Sequence, residues 1–332
     1  MSEFRQNLAT KEWVILAPER AKRPKDFHRP DDQRAELPSH SKTCPFCVGN
    51  EDRTEQPVLS MPSGDKPQVR VVPNKFAALS PKSTVTRKRD GWFLKADGFG
   101  IAEVVIEHPR HNLSPALMTD AEVANIFRAY RVRQIAINEQ PRINLVTIFR
   151  NHGQRAGTSL DHPHSQIIAT PIVPPHVRYP LERAVMHFDQ YGTCVFCDMV
   201  AEELDQATRL IEETPNFVAY CPFAARSPFE CRVYPKRHMP SFFLTPDTEI
   251  VELAALVRRL LARLYHGLGN PDYNYIIRSS PVGDHDTRHL HWYMVVIPKV
   301  STPAGFEMGS GIYINTMPPE TAAEYLREVE FP

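Results

Sequence analysis

Two histidines stand two residues apart in the segment Ser159-Leu-Asp-His162-Pro-His164-Ser-Gln166. Imidazole is the side chain best suited to act as nucleophile, base or metal ligand near neutral pH. If the segment is extended, a period of two places His162, His164 and Gln166 on one face. The segment is therefore either a reactive site, in which the Gln166 amide can donate to an anionic oxygen, or a pair of histidines with local structural roles.

The loop before this segment carries Gly153, Gly157 and the hydroxyl of Ser159. Glycines let backbone N–H groups approach a phosphate closely, although a flexible turn is the simpler explanation of their presence. A histidine nucleophile beside phosphate-binding donors indicates phosphoryl or nucleotidyl transfer through a covalent intermediate.

Four of the six cysteines form two CxxC pairs. Such pairs in a reducing compartment are more often metal or redox sites than disulfides, and two thiolates with two imidazoles satisfy a tetrahedral zinc. We therefore expect a first zinc site with the ligands Cys44, Cys47, His111 and His162. The alternative is that the cysteines are buried thiols and His111 is a surface residue. If His162 binds zinc, His164 is held in place and remains available for chemistry.

The second half of the chain repeats the order of the first. Cys194-Val-Phe-Cys197 resembles Cys44-Pro-Phe-Cys47, and the 51 residues from His111 to His162 recur between His238 and His289. These echoes predict a second metal site from Cys194, Cys197, His238 and either His289 or His291. Trp292-Tyr293 follows there instead of Ser-Gln, so we expect one reactive centre per chain and a structural second half.

The hydrophobic pattern predicts an α+β fold built from a duplicated unit. Helices are expected after the capping box Thr119–Glu122 and after Thr245. The unit boundary is expected near residues 175–190, where the proline-rich stretch 171–180 fits a linker. The predicted strands are Val69–Val72, Ile101–Ile106, Ile143–Phe149, Ile167–Thr170, Tyr273–Ile277 and Tyr293–Ile297.

Composition excludes several classes of function. Lys plus Arg and Asp plus Glu are equal at 39 each, so no net basic field favours nucleic acid. No run of about 18 apolar residues predicts a membrane span, and the N-terminus lacks the apolar stretch of a signal peptide. We expect a cytoplasmic protein without nucleic-acid or membrane partners.

Six segments together resemble the galactose-1-phosphate uridylyltransferase family, the nucleotidyltransferase branch of the histidine-triad superfamily. They are Arg20–Pro24, Cys44–Asn50, Pro73–Leu79, His111–Ser114, Asn151–Gln166 and Gly305–Asn315. The resemblance implies two histidine-triad-like units with antiparallel sheets and flanking helices. Residues 1–175 would form the catalytic unit with its zinc site. Residues 185–332 would form a unit with the second metal site and a hexose-phosphate-binding tail.

The resemblance also implies a two-step exchange. His164 would attack the α-phosphorus of UDP-glucose and release a hexose 1-phosphate, and galactose 1-phosphate would then take UMP from the uridylyl-histidine. Gln166 would stabilise the phosphate oxygen. Nucleotide-holding positions match Asn74, Phe76, Asn151 and Ser159. Arg20, Arg23, Phe306 and Glu307 match positions that reach phosphate and sugar from the partner subunit of a homodimer. Two-zinc members point to His291 in the second site, where iron is an alternative metal.

Two departures from the family pattern leave the substrate open. Ser301 stands where members often carry a lysine for the sugar phosphate, and Lys299 is offset from that position. Gly309-Ser-Gly311 resembles the branch that includes ADP-glucose phosphorylase, in which an adenylyl-histidine reacts with inorganic phosphate. The alternative from another functional class is a nucleotide-binding protein that zinc stabilises and that catalyses no reaction.

Overall fold

The computed structural model describes residues 1–20, 23–27, 37–64 and 66–332. The strands in these ranges are β1 Glu3–Gln6, β2 Trp13–Leu16, β3 Leu59–Met61, β4 Val69–Pro73, β5 Arg87–Asp90, β6 Phe93–Ala96, β7 Ile101–Ile106, β8 Leu145–His152, β9 His164–Thr170, β10 Leu210–Glu213, β11 Phe217–Tyr220, β12 Cys231–Pro235, β13 Tyr273–Arg278, β14 Tyr293–Pro298 and β15 Tyr313–Asn315. The helices are α1 Asp120–Asn138, α2 Pro175–Tyr191, α3 Val195–Gln206, α4 Asp247–Leu268, α5 Gly305–Ser310 and α6 Pro319–Glu328.

A ten-stranded antiparallel sheet runs in the order β10-β11-β12-β14-β13-β8-β9-β7-β4-β3. Read outwards from the central β13–β8 pair, the two halves show the same succession of strands. The two half-sheets are continuous because β8 and β13 pair from His152 opposite Tyr273 to Ile148 opposite Ile277. The predicted α+β fold with duplicated units and antiparallel sheets is confirmed.

Helices α1 and α4 cover one face of this sheet. Their apolar stripes, which include Val123, Phe127, Leu253 and Val257, are buried in one core together with strand residues of both halves. The predicted capping box starts α1, since Thr119 and Glu122 exchange side-chain-to-backbone hydrogen bonds. One helix from each half therefore packs into a common core.

The connections differ from the sequence predictions in two places. The stretch expected as a linker is helical from Pro175 onwards. Pro175 lies in the first turn, where a proline loses no intrahelical bond, and Pro180 lies inside the helix. Pro246, not Thr245, occupies the N-cap of α4. The division into units 1–175 and 185–332 stays a prediction, and β2 pairs with β15 from the opposite end of the chain.

The helices in the described ranges include none that is long and apolar enough to cross a membrane.

Removing the Thr119 hydroxyl tests how much the capping box contributes to the fold. Thr119 Oγ1 accepts from the Glu122 N–H at 3.3 Å. We expect Thr119→Ala to lower the free energy of unfolding by about 1 kcal/mol. Urea denaturation would measure this change, with Thr119→Ser, which keeps the hydroxyl, as control. Equal loss in both variants would mean that side-chain packing, and not the cap, stabilises this helix start.

Candidate active site and metal clusters

His164 is the first residue of β9, and its ring lies on the face of the sheet away from α1 and α4. Ile167 and Ala169 of the same strand pack in the core, so strand alternation places His164 and Gln166 on the opposite face. The His164 Nδ1 atom lies 2.7 Å from the carbonyl oxygen of His162. Because a carbonyl only accepts, Nδ1 carries the proton and Nε2 keeps its lone pair.

Burial also keeps this ring uncharged. His164 is 8% exposed, and desolvation lowers the pKa of its imidazole. A neutral ring with a free Nε2 lone pair has the form that a nucleophile requires at neutral pH. Gln166 is partly exposed beside it, opposite Val104 on β7 and Phe149 on β8.

The glycine loop forms the wall of a narrow cleft beside His164. Gly153 and Gly157 have φ values of 86° and 90°, a conformation that favours glycine. The volume of the cleft is about 10 Å³. Its lining residues are Arg150, Asn151, His152, Gly153, Thr158, Leu160, Asp161, His162 and His164.

The four residues of the first predicted metal site lie together. Ligand atoms of Cys44, Cys47, His111 and His162 all lie within 4.8 Å of one another, and the four residues are buried. The Cys47 Sγ atom is 3.5 Å from His111 Nδ1 and 3.6 Å from His162 Nδ1. A tetrahedral zinc with Zn–S and Zn–N bonds of about 2.3 and 2.1 Å sets this S···N distance at about 3.6 Å. The donor set therefore fits such an ion.

The surroundings of this cluster prepare its atoms for a cation. Burial lowers the pKa of His162 to about 3, so its ring is neutral. Its Nε2–H donates to the His108 carbonyl oxygen at 2.7 Å, which leaves the Nδ1 lone pair, on the side of Cys47, available to a metal ion. Burial raises the pKa of the Cys44 thiol, and a bound cation would reverse that effect because coordination deprotonates a thiol.

The second cluster is less complete. Ligand atoms of Cys194, Cys197 and His238 lie within 4.8 Å of one another, with Cys197 Sγ 3.4 Å from His238 Nδ1. A hydrogen bond from Cys197 lowers the pKa of Cys194 to about 4, and the shared proton raises the pKa of Cys197. The His291 ring centroid is 5.6 Å from that of His238, but its nitrogens lie 2.8 and 3.1 Å from the carbonyl oxygens of Trp292 and Arg237. His291 as a ligand stays a prediction.

The sheet register bears on the choice between His289 and His291. Phe149 of β8 lies opposite Gln166, and Ile276 of β13 lies opposite Val295. Phe149 and Ile276 also pair with each other, so taking this pair as the centre of the duplication puts Val295 in the place of Gln166. His291 precedes Val295 by four residues, as His162 precedes Gln166. The register therefore aligns His291 with His162, and Tyr293 with His164.

The predicted nucleotide-holding residues lie in the first half of the sheet. Asn151 lines the cleft of His164, and its side-chain oxygen accepts from Asn274 Nδ2 at 2.8 Å. Asn74 follows β4, where its side chain accepts from the Phe76 N–H at 2.9 Å. Phe76 is 89% exposed, and Ser159 is exposed as well. The structure thus brings Asn151 to His164 and leaves the Phe76 ring open to a ligand.

The four residues predicted to come from a partner subunit do not line this cleft. Glu307 belongs to α5, where hydrogen bonds from its own N–H and that of Ala304 lower the pKa of its carboxyl, with a smaller contribution from the charge of Arg20. Phe306 is 50% exposed, and Arg20 and Arg23 are exposed. The charge of Arg20 thus acts on Glu307, and neither residue lines the cleft beside His164.

A larger cavity lies over the second half of the sheet. Its volume is about 450 Å³, and its lining includes Arg278, Tyr293, Val295, Lys299 and Glu307. Tyr293 and Val295 occupy the places that His164 and Gln166 have in the first half. The cavity therefore lies over the counterpart of the His164 face.

Two features of the His164 site were not foreseen from the sequence. The Phe46 ring lies 5.4 Å from the His164 ring and 5.9 Å from that of His162, and so it packs against both. Asn50 donates to the Cys44 carbonyl oxygen at 2.7 Å and so fixes the CxxC turn. The sequence offered one clue to both residues, namely their positions: Phe46 lies between the two cysteines, and Asn50 follows shortly after them.

Comparison with known proteins agrees with this geometry. Residues 1–174 match the family described as galactose-1-phosphate uridyl transferase, N-terminal domain. Residues 111–329 match a domain of unknown function, DUF4921.

Relatives match over nearly the whole chain. An ADP-glucose phosphorylase of Arabidopsis thaliana is 35% identical over 98% of this chain and 93% of its own length. A galactose-1-phosphate uridylyltransferase of Thermotoga maritima is 28% identical over 99% of each chain. The crystal structure of an Arabidopsis thaliana ADP-glucose phosphorylase with bound ADP-glucose superposes with a TM-score of 0.85 at 32% identity, covering 100% of both chains. With its two half-sheets, its paired cysteine–histidine clusters and these matches, the chain belongs to the galactose-1-phosphate uridylyltransferase family, near its ADP-glucose phosphorylase-like members.

Proposed function

We propose that the protein transfers a nucleotidyl group from a nucleoside diphosphate hexose to a phosphate-containing acceptor through a covalent bond to His164. The observation that carries this proposal is the hydrogen bond from His164 Nδ1 to the His162 carbonyl oxygen, because it fixes the Nε2 lone pair as the free nucleophile. Gln166 on the same strand face supplies an amide donor for a non-bridging oxygen of the α-phosphate.

The reaction proceeds in two displacements. Nε2 of His164 attacks the α-phosphorus, a bond forms between Nε2 and phosphorus, and the bond from the α-phosphorus to the bridging oxygen breaks. Hexose 1-phosphate leaves with that oxygen. An oxygen of the acceptor phosphate then attacks the same phosphorus, and the Nε2–phosphorus bond breaks, which regenerates the neutral imidazole.

ADP-glucose as donor and inorganic phosphate as acceptor is the substrate pair that the similarities favour. The 35% identical relative is an ADP-glucose phosphorylase, and the Gly309-Ser-Gly311 segment is typical of that branch. Ser301 stands where members often carry a lysine for the sugar phosphate, and the cations of the cavity that it lines, Arg278 and Lys299 among them, come from other positions. UDP-glucose with galactose 1-phosphate is the second candidate, supported by the family match over residues 1–174.

A homodimer would complete the substrate site. The cleft at His164, at about 10 Å³, is far smaller than the roughly 300–1,000 Å³ of a small-molecule pocket. Arg20, Arg23, Phe306 and Glu307 lie outside that cleft, and the family resemblance has these positions reach the substrate from a partner subunit. We propose the same arrangement here, with the nucleotide held by Asn74, Phe76, Asn151 and Ser159.

Zinc is the metal proposed for both clusters, with iron as the alternative in the second. Cys44, Cys47, His111 and His162 would hold the first ion, which when bound would tie three distant chain segments together. Cys194, Cys197, His238 and His291 would hold the second. Residues of the chain itself carry out the nucleotidyl transfer, and His162 contributes by fixing the strand that starts at His164.

Trapping the intermediate tests the nucleophile. Incubation with ADP-glucose labelled in the adenosine should leave label on His164, located by peptide mass spectrometry. His164→Asn keeps a side-chain N–H near the His162 carbonyl but removes Nε2, so it should bind nucleotide and take no label. The exposed His285→Asn should label like the wild type. Nucleotide binding without label from any nucleoside diphosphate sugar would support a binding protein without turnover.

A substrate panel decides between the two candidates. Steady-state rates with ADP-glucose plus phosphate should exceed those with UDP-glucose plus galactose 1-phosphate by at least about 100-fold in kcat/KM, a difference of roughly 3 kcal/mol in transition-state binding. The opposite ranking would identify a uridylyltransferase and overturn the adenylyl assignment.

Metal analysis tests the two clusters separately. We expect close to two zinc ions per wild-type chain and about one in both Cys44→Ser and Cys194→Ser, since each loses a thiolate ligand. His291→Ala should also reduce the content towards one, whereas His289→Ala should retain two. Less than one zinc per wild-type chain would refute the duplicated site, and the reverse histidine result would make His289 the ligand.

A further inference from the structure

An ion pair is buried directly behind the strand that carries His164. Arg150 Nη1 contacts the carboxylate of Glu107, and the two side chains are 3% and 0% exposed. Arg150 belongs to β8, and Glu107 follows the last residue of β7. These are the two strands that flank β9 on either side. The pair therefore spans the strand that begins at His164.

The pair and one tyrosine hold three successive residues of the reactive segment. The Glu107 N–H donates to the Pro163 carbonyl oxygen at 3.0 Å. Arg150 Nη1 donates to the His164 carbonyl oxygen at 3.3 Å. The Tyr130 hydroxyl donates to Ser165 Oγ at 2.6 Å and lies 3.4 Å from the Glu107 carboxylate.

The same network reaches the second half of the molecule. The hydroxyls of Tyr130 on α1 and Tyr275 on β13 lie 2.5 Å apart, and both residues are buried. Ser165, Tyr130 and Tyr275 lie on the core side of the sheet, whereas the His164 ring lies on the other side. The network therefore acts on the backbone of the segment and leaves the ring free to face a substrate.

Stability alone does not explain an ion pair at this place. Two well-packed apolar side chains of similar volume are often as stable as a buried pair, because taking both charges out of water is costly. Charged and hydroxyl groups instead fix directions, and here they hold two adjacent oxygens, the His164 carbonyl and the Ser165 hydroxyl, next to the Pro163 carbonyl held by the backbone of Glu107. We infer that Glu107, Arg150 and Tyr130 are positioning residues that set the direction of His164 Nε2 during nucleotidyl transfer, an inference that rests on the proposed role of His164.

Single-turnover labelling of His164 measures the effect. Glu107→Gln keeps the shape of the side chain but leaves Arg150 without its counter-charge, and Tyr130→Phe removes one hydroxyl. Because small misplacements of a reacting atom can cost about 100-fold, we expect Glu107→Gln to slow labelling about 100-fold, Tyr130→Phe about 10-fold, and KM to change less than about two-fold. Normal labelling rates in both variants would overturn the inference.

A double variant separates positioning from stability. Glu107→Met with Arg150→Met replaces the pair by apolar side chains and should regain thermal stability relative to Glu107→Gln while labelling stays slow. If the double variant regains both, the pair is structural and the inference is wrong. The Glu203–Arg209 pair, with side chains 6% exposed, serves as the matched control. Glu203→Gln should lose stability and keep the wild-type labelling rate.

Labelling of the wild-type chain distinguishes failure of the proposed function from failure of the positioning role. If the wild-type chain itself takes no label, the proposed function fails. If it labels at His164 and the Glu107 and Tyr130 variants label equally fast, the positioning role alone fails.

Discussion

Strands β8 and β13 pair at the centre of the sheet, and this pairing makes one body of two similar halves. Asn274 of β13 donates to Asn151 at the cleft and to the Ala156 carbonyl oxygen in the glycine loop, at 2.8 and 2.9 Å. Tyr275, the next residue, reaches Tyr130 on the core side. The second half therefore supports the reactive segment from both faces of the sheet, although its own counterpart of His164 is Tyr293.

Duplication explains why the two halves diverge chemically. Each half holds a CxxC pair and a histidine at ligand distance. A nucleophile needs more than a cluster, because it must have a free lone pair, an oxyanion donor and an open face. In the first half His164 has a free Nε2 lone pair, and Gln166 lies on the same strand face. The second half has a cavity of about 450 Å³, and Tyr293 and Val295 line it at the equivalent positions.

Local patterns in the sequence predicted much of the fold and part of the site. Spacing and period identified the strands, the capping box at Thr119 and the four ligand residues of the first cluster, because each depends on residues near one another in the chain or on a repeated motif. Helix α2, which begins within the expected linker, was missed because proline-rich sequence is typical of loops as well as of the start of a helix. The Glu107–Arg150 pair was missed because 43 residues separate its members, and no local pattern indicates which buried charges will meet.

The two faces of the sheet determine where polar and charged groups can lie around His164. On the outer face the site needs room for an anionic substrate, and the Nε2 atom must not be occupied by a protein donor. Fixed hydrogen-bond partners for this segment can therefore be supplied only from its own backbone and from the core side. His162 supplies the backbone carbonyl for Nδ1, and Arg150 and Tyr130 supply the core-side contacts. Apolar side chains in place of Arg150 and Tyr130 would leave the His164 carbonyl and the Ser165 hydroxyl without these partners, and the backbone at His164 would lose its core-side support.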